Sequence, residues 1–184
     1  DLWFDSGSKR ALSFVSSAAV EGPFNSEKII ATPETIRLLD GRIKKPVALA
    51  CPYERPFSLG SVRVELIPSG SMLGSSQIAV QKDGKTIIYT GDVCLRNLRT
   101  SKPAQVRRCD VLAVKCTFAA PKYSFPPAGK VAEEIIEFVR ETLSSGAVPV
   151  LLTETIGKAP ELAKILSDEG FGLSLHKSVY DTVK

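Results

Sequence analysis

The chain has 184 residues, 43% apolar and 24% charged, enough for one domain with its own core and unlike the composition of a disordered chain. Twenty-four Lys and Arg against 20 Asp and Glu leave a net charge of +4, an excess that tolerates nucleic acid without demanding it. The single histidine, His176, and four cysteines without a C-x-x-C pair exclude a His-rich dinuclear centre and argue against a four-Cys zinc site, because zinc takes three or four converging ligands.

Short β-rich runs come first. Leu12–Val15, Lys28–Ala31, Val47–Ala50, Val62–Ile67, Ile78–Gln81 and Lys85–Thr90 have strand composition. Between the second and third of these, Thr32-Pro33-Glu34 supplies an N-cap, a first-turn proline and an acid, and Gly41 closes the predicted helix. Lys82-Asp83-Gly84-Lys85 reads as a tight hairpin turn, since glycine takes positive φ without a clash. Val111–Val114 and Val148–Leu152 are near-continuous apolar runs, the pattern of strands buried on both faces. Val131, Ile135, Ile136, Val139 and Leu143 recur at helical spacing, with Gly146 beyond them. Pro160 opens a third predicted helix through Leu162, Ile165 and Leu166, ended by Gly170. His176 then falls after a further strand, as a surface or strand-end residue.

Strands followed by strand–helix–strand–helix–strand predict an α/β domain, α+β in its layering, spanning residues 1–184 without linker or repeat. No apolar run approaches the roughly 20 residues of a membrane span, and no signal peptide opens the chain. It begins at Asp1 without Met, as a processed or trimmed piece would. Scattered cysteines read as reduced thiols, so a cytoplasmic protein is expected.

Loops rich in small residues sit at predicted strand ends: Ser16–Gly22, Ser69–Ser76 and Gly91-Asp92. Small residues permit close backbone approach and frequently surround active sites. The Ser69–Ser76 loop lacks the G-K-[ST] ending of a P-loop. In order and content these loops resemble the metallo-β-lactamase-fold nucleases, in the branch of mRNA 3′-end processing endonucleases and ligase-associated DNA exonucleases. Leu12–Ser16 is similar to the strand feeding that family's S-H-A-H-x-D-H metal loop. Ala31-Thr32-Pro33-Glu34-Thr35 matches its A-T-P-E-T helix start, and Pro68–Gln77 resembles its A-G-H-I-L-G-S-A-Q loop. Tyr89-Thr90-Gly91-Asp92 matches Y-T-G-D, and Val114–Phe118 resembles the E-S-T-Y/F segment, continued by the Pro, Tyr and Phe of residues 121–126. The resemblance implies an αββα sandwich, here without the inserted second domain.

The departures fall on the metal ligands. Ser17, Ala19, Glu21 and Gly22 occupy the places of His, His, Asp and His; Ser71 takes that of the next His; Lys115 stands where the family has an acid. Asp92, with Glu21 as a longer acid, keeps ligand chemistry. Serine hydroxyls and alanine methyls are not zinc ligands. The resemblance thus implies the fold and speaks against the activity: no metal, no cofactor, and no catalytic residue beyond the remnant Asp92, Glu21 and Lys115. Asp92 and Lys115 are expected to pair, the ammonium standing where metal charge stood; the alternative is a lysine pointing into solvent from a strand end.

Binding is then the expected role. Arg96, Arg99, Lys102, Arg107 and Arg108 lie in a segment with no acid until Asp110, fit for weak, salt-sensitive contact with RNA or DNA phosphates. Aromatics are sparse there, so no sequence reading is implied. The competing readings are a complex-forming partner of an active nuclease or ligase, docking through Pro121, Tyr123, Phe125, Pro126 and Pro127, and a residual phosphodiesterase with an atypical metal site.

Overall fold

A computed structural model describes residues 1–20, 25–39 and 47–183. They fall into two compact units, Asp1–Cys116 and Thr117–Lys184, each built by its own local sequence rules.

The first unit contains two sheets. In one, β1 (Trp3–Phe4), β2 (Leu12–Phe14), β3 (Lys28–Ala31) and β4 (Val47–Ala50) run side by side and parallel. In the other, β5 (Phe57–Leu59), β6 (Val62–Pro68), β7 (Ser76–Lys82) and β8 (Lys85–Tyr89) form an antiparallel meander, and β9 (Val111–Ala113) adds parallel to β8. Parallel neighbours need a crossover; between β3 and β4 it holds α1 (Pro33–Leu39), with Thr32 Oγ1 accepting the Thr35 N–H at 3.1 Å as the expected N-cap. The hairpin between β7 and β8 turns at Asp83 and Gly84, both at positive φ (51° and 75°), and pairs Lys82 with Lys85, the geometry that matches the twist of the flanking strands. Gly41 lies outside the described residues.

Period-two alternation sets the layers. Phe14 and Ile30 of the first sheet meet Val64, Leu66 and Ile78 of the second in one core, every one of them fully buried. Burial of each such side chain contributes roughly 1.5–3 kcal/mol. Phe4 stacks on Tyr89 at 5.2 Å between ring centroids, and Phe14 meets both edge-on. On the opposite face of the second sheet Ile67, Ala79 and Ile88 pack with Cys109, so that face of β6 is dry at its end.

The second unit contains α2 (Ala128–Ser144), α3 (Lys158–Asp168) and α4 (Lys177–Val183). Ile136 and Val139 are the buried stripe of α2, and Leu166 that of α3. Gly146 and Gly170 follow the two helix ends at φ of 78° and 83°, the left-handed stops expected of them. Arg140 bridges to Glu169 at 2.8 Å, tying α2 to the end of α3.

With two sheets and four helices among the described residues, the layered α/β class expected from sequence is present. Two strand expectations need correction. Val111–Ala113 is a strand but an edge one, with Val111 and Leu112 more than half exposed. Val148–Leu152 forms no strand, and Val148, Val150 and Leu152 are 72–93% exposed. An apolar run signals that burial is available; a strand also needs a neighbour to bond, and the second unit has none among its described residues. His176 follows no strand either. It is exposed just before α4, its Nδ1 2.8 Å from Ser178 Oγ. Phe118, Tyr123 and Phe125 pack on one another with centroids 5.2–6.4 Å apart and remain 42–59% exposed. No described helix is long and apolar enough to cross a membrane.

Candidate functional site

The ends of β2, β6, β8 and β9 converge on one junction of the first unit. The Ser76 N–H donates to the Ser16 carbonyl at 2.7 Å, joining the second loop's exit to the first loop's entry. The Cys94 N–H donates to Ser69 O at 2.8 Å, and Gly70 forms a bridge with Val93. Gly91 sits at φ 55°, and a Cβ there would lie 2.5 Å from both Cβ and Oγ of Ser16. Only glycine allows that approach.

Hydroxyl clamps fix the second loop. Thr32 Oγ1 and Thr35 Oγ1 both donate to the Gly74 carbonyl, at 2.6 and 2.9 Å. Ser75 Oγ accepts the N–H groups of Ser71 and Met72 at 3.1 Å each and donates to Met72 O at 2.8 Å. The Tyr53 hydroxyl donates to Ser75 O at 2.8 Å, and burial with the nearby Glu34 charge holds that phenol far above its usual pKa. The two threonines around Pro33-Glu34 therefore act mechanically, starting the helix and holding the loop beside it.

The charges of the junction are three. Lys115 Nζ donates to Asp92 Oδ2 at 2.7 Å, the pairing expected from sequence. The side chains are 43% and 38% exposed, so water screens the pair and its worth is under about 1 kcal/mol. Asp5 is the third charge, and sequence reasoning missed it. It sits at φ 44° just after β1, where its carboxylate accepts the Ser16 N–H (2.7 Å), Ser16 Oγ–H (2.7 Å) and Tyr89 O–H (2.9 Å). Burial raises its pKa above the usual carboxylate range; the hydrogen bonds of Ser16 and Tyr89 and the Lys115 charge oppose that rise. Burial, followed by the Asp5 charge, raises the Tyr89 phenol in turn. The available signal was an acid closing a short aromatic run, Trp3-Phe4-Asp5, as Asp92 closes Tyr89-Thr90-Gly91.

The other expected site residues are dispersed in character. Ser17 is buried, its hydroxyl accepting the Ala19 N–H at 3.3 Å in a local turn. Ala19 is exposed and Ser71 half-buried. Glu21 and Gly22 lie outside the described residues. Among the described residues no three His, Cys, Asp or Glu side chains come together as a metal cluster. Asp92 carries an ammonium against its carboxylate. Among the described residues at these positions, Ser17, Ala19 and Ser71 offer no zinc-ligand chemistry.

The basic segment is sewn to the second sheet. It leaves the junction through the Cys94–Ser69 bond, and Ser101 Oγ donates to Gly70 O at 3.1 Å. The Gln105 N–H donates to Pro68 O at 3.1 Å, and Gln77 Nε2 reaches Gln105 O at 2.7 Å. Arg107 bonds Glu65 at 2.7 Å and lies 3.6 Å from Glu54, so its charge is already met within the fold. Arg96, Arg99, Lys102 and Arg108 are exposed, with the Lys102 ammonium 5.3 Å from the Tyr53 ring centroid.

No family model matches the chain. A protein described as a probable DNA ligase from Opitutus terrae is 29% identical over 181 residues, 97% of this chain and 18% of its own length. An RNase J-like protein from Methanocaldococcus jannaschii is 32% identical over 63% of this chain and 28% of its own. RNase aCSPSF2 from Saccharolobus solfataricus is 25% identical over 67% of this chain and 25% of its own. The chain thus spans 18–28% of the length of these relatives. A crystal structure of an Enterococcus faecalis V583 protein of unknown function aligns with a TM-score of 0.51 and 14% identity, covering 71% of this chain and 39% of that one; that likeness carries the fold alone. By name these relatives are one probable DNA ligase and two proteins of ribonuclease type, and the likeness extends over 63–97% of this chain.

Proposed function

We propose that this chain is the nucleic-acid-holding part of a strand-processing protein, and that hydrolysis is not carried at its loop junction. One observation supports the first half above others: a basic segment held to the junction by hydrogen bonds, with Arg96, Lys102 and Arg108 exposed along it. A pinned segment presents its charges at less entropic cost than a free loop. The relatives' names supply the substrate class, a DNA ligase and ribonucleases. DNA is favoured over RNA because the ligase relative matches 97% of the chain, against 63% and 67% for these two ribonucleases. The same match suggests a ligase as neighbour, on the same polypeptide or in one complex. The second half of the proposal rests on Ser17, Ala19, Ser71 and Lys115 at positions where the resembled family holds metal.

Binding of single- and double-stranded oligonucleotides, followed by fluorescence anisotropy with rising salt, tests the reading. Affinity should fall steeply with salt. Changing Arg96 and Arg108 together to Ala should weaken binding and flatten the slope of log K against log salt by about 2, one per lost phosphate contact. Arg107→Ala should instead lower stability through Glu65. Absence of binding at low salt, or indifference to the double change, overturns the nucleic-acid reading in favour of a protein-interaction module. A stoichiometric zinc ion with salt-dependent strand cleavage overturns the non-hydrolytic half.

A further inference from the structure

The junction gathers two carboxylates at neighbouring strand ends and sets one ammonium against them. Asp92 touches Lys115 Nζ directly at 2.7 Å. Asp5 accepts the Tyr89 O–H at 2.9 Å, from the strand that leads to Asp92. Among the described residues Asp5 has no basic side chain in contact: its oxygens are filled by Ser16 and Tyr89. Lys115 is itself positioned by the fold. Its N–H donates to Thr90 Oγ1 at 3.3 Å, and the Thr90 N–H donates to Ala113 O at 3.0 Å, which locks the end of β9 to the end of β8. Register, not chance exposure, brings the lysine over Asp92.

We propose that the Lys115 ammonium is the resident counter-cation of Asp92 at this junction, and that it keeps divalent cations from that carboxylate. A protonated amine and a hard metal ion compete for the same carboxylate oxygens. A tethered ammonium stands beside Asp92 without losing translational freedom, whereas a free ion must bind at a cost in entropy. Without Lys115, the Asp92 carboxylate loses the ammonium that contacts it at 2.7 Å, and a hard divalent ion becomes an available way to balance it. The inference deepens the non-hydrolytic reading of the junction and rests on it.

The test compares thermal unfolding of the wild type, Lys115→Met, Lys115→Arg and the doubly changed Lys115→Met, Asp92→Asn, each with and without millimolar Mn²⁺. Mn²⁺ is chosen because it prefers carboxylates to the nearby thiols of Cys94 and Cys116. Lys115→Met should melt about 1–3 °C below the wild type, as fits a half-exposed pair. Mn²⁺ should restore that loss, since a ligand bound only by the native state raises its stability, and an Mn²⁺ electron paramagnetic resonance titration should show the bound ion. Lys115→Arg should behave as the wild type, indifferent to Mn²⁺. The doubly changed chain should regain stability without the ion. A Lys115→Met protein that melts with the wild type and ignores Mn²⁺ overturns the counter-cation role while leaving nucleic-acid binding by Arg96 and Arg108 untouched. A wild type that responds to Mn²⁺ as strongly as Lys115→Met overturns the exclusion of cations.

Discussion

Two sets of positions share the same loops and differ in what the fold asks of them. The framing positions Thr32, Thr35, Gly74 and Gly91 are each bound to another loop or too close to one to change, and Ser75 ties its own loop together. The positions where the resembled family carries ligands, Ala19 and Ser71 among them, make few demands: Ala19 is exposed and Ser71 is half-buried, held only through its N–H. The described parts of these loops are thus framed from other positions. The frame is maintained by hydroxyl–carbonyl bonds and glycine contacts that owe nothing to a metal, so ligand chemistry can leave while architecture stays. The charge Lys115 brings to Asp92 belongs to the junction but to neither set.

Three changes would break or sharpen that contrast. The largest effect belongs to Gly91→Ala, because the added Cβ meets Ser16 at 2.5 Å and the backbone is at φ 55°. Strain and overpacking together should cost about 3 kcal/mol, read from urea unfolding; a cost below about 1 kcal/mol would mean that the loops are not locked together. Asp5→Asn comes next and is read through pH. Burial raises the folded-state pKa of Asp5 above its unfolded value near 4, so the folded chain binds more protons in that window. The Asp5 contribution is therefore full below about pH 4 and declines as pH rises through the raised value. Stability of the wild type relative to Asp5→Asn should fall from pH 4 towards neutrality; a difference flat with pH would place Asp5 in water. The smallest effect belongs to Ala19→His. An exposed site outside any clamp should shift stability by less than about 0.5 kcal/mol, and a larger loss would join Ala19 to the frame.

What the sequence determined by itself is local. The six strand runs between Leu12 and Thr90, the Asp83-Gly84 hairpin, the Thr32 cap and the glycine stops at Gly146 and Gly170 depend on a residue's own backbone preferences and its near neighbours, and they stand where expected. The pairing of Lys115 with Asp92 was legible only through resemblance, because the two stand 23 positions apart in the chain and strand register joins them. Tertiary structure alone decided the rest. Asp5 became a site residue when β1, β2 and β8 delivered Ser16 and Tyr89 to its carboxylate from 11 and 84 positions away. Arg107 left the solvent-facing set when β6 placed Glu65 beside it, although the sequence makes it one of five equivalent basic residues. Val111–Ala113 stayed at an edge and Val148–Leu152 unpaired, because hydrophobicity says that a segment gains by burial while only the arrangement of neighbours says whether it is buried.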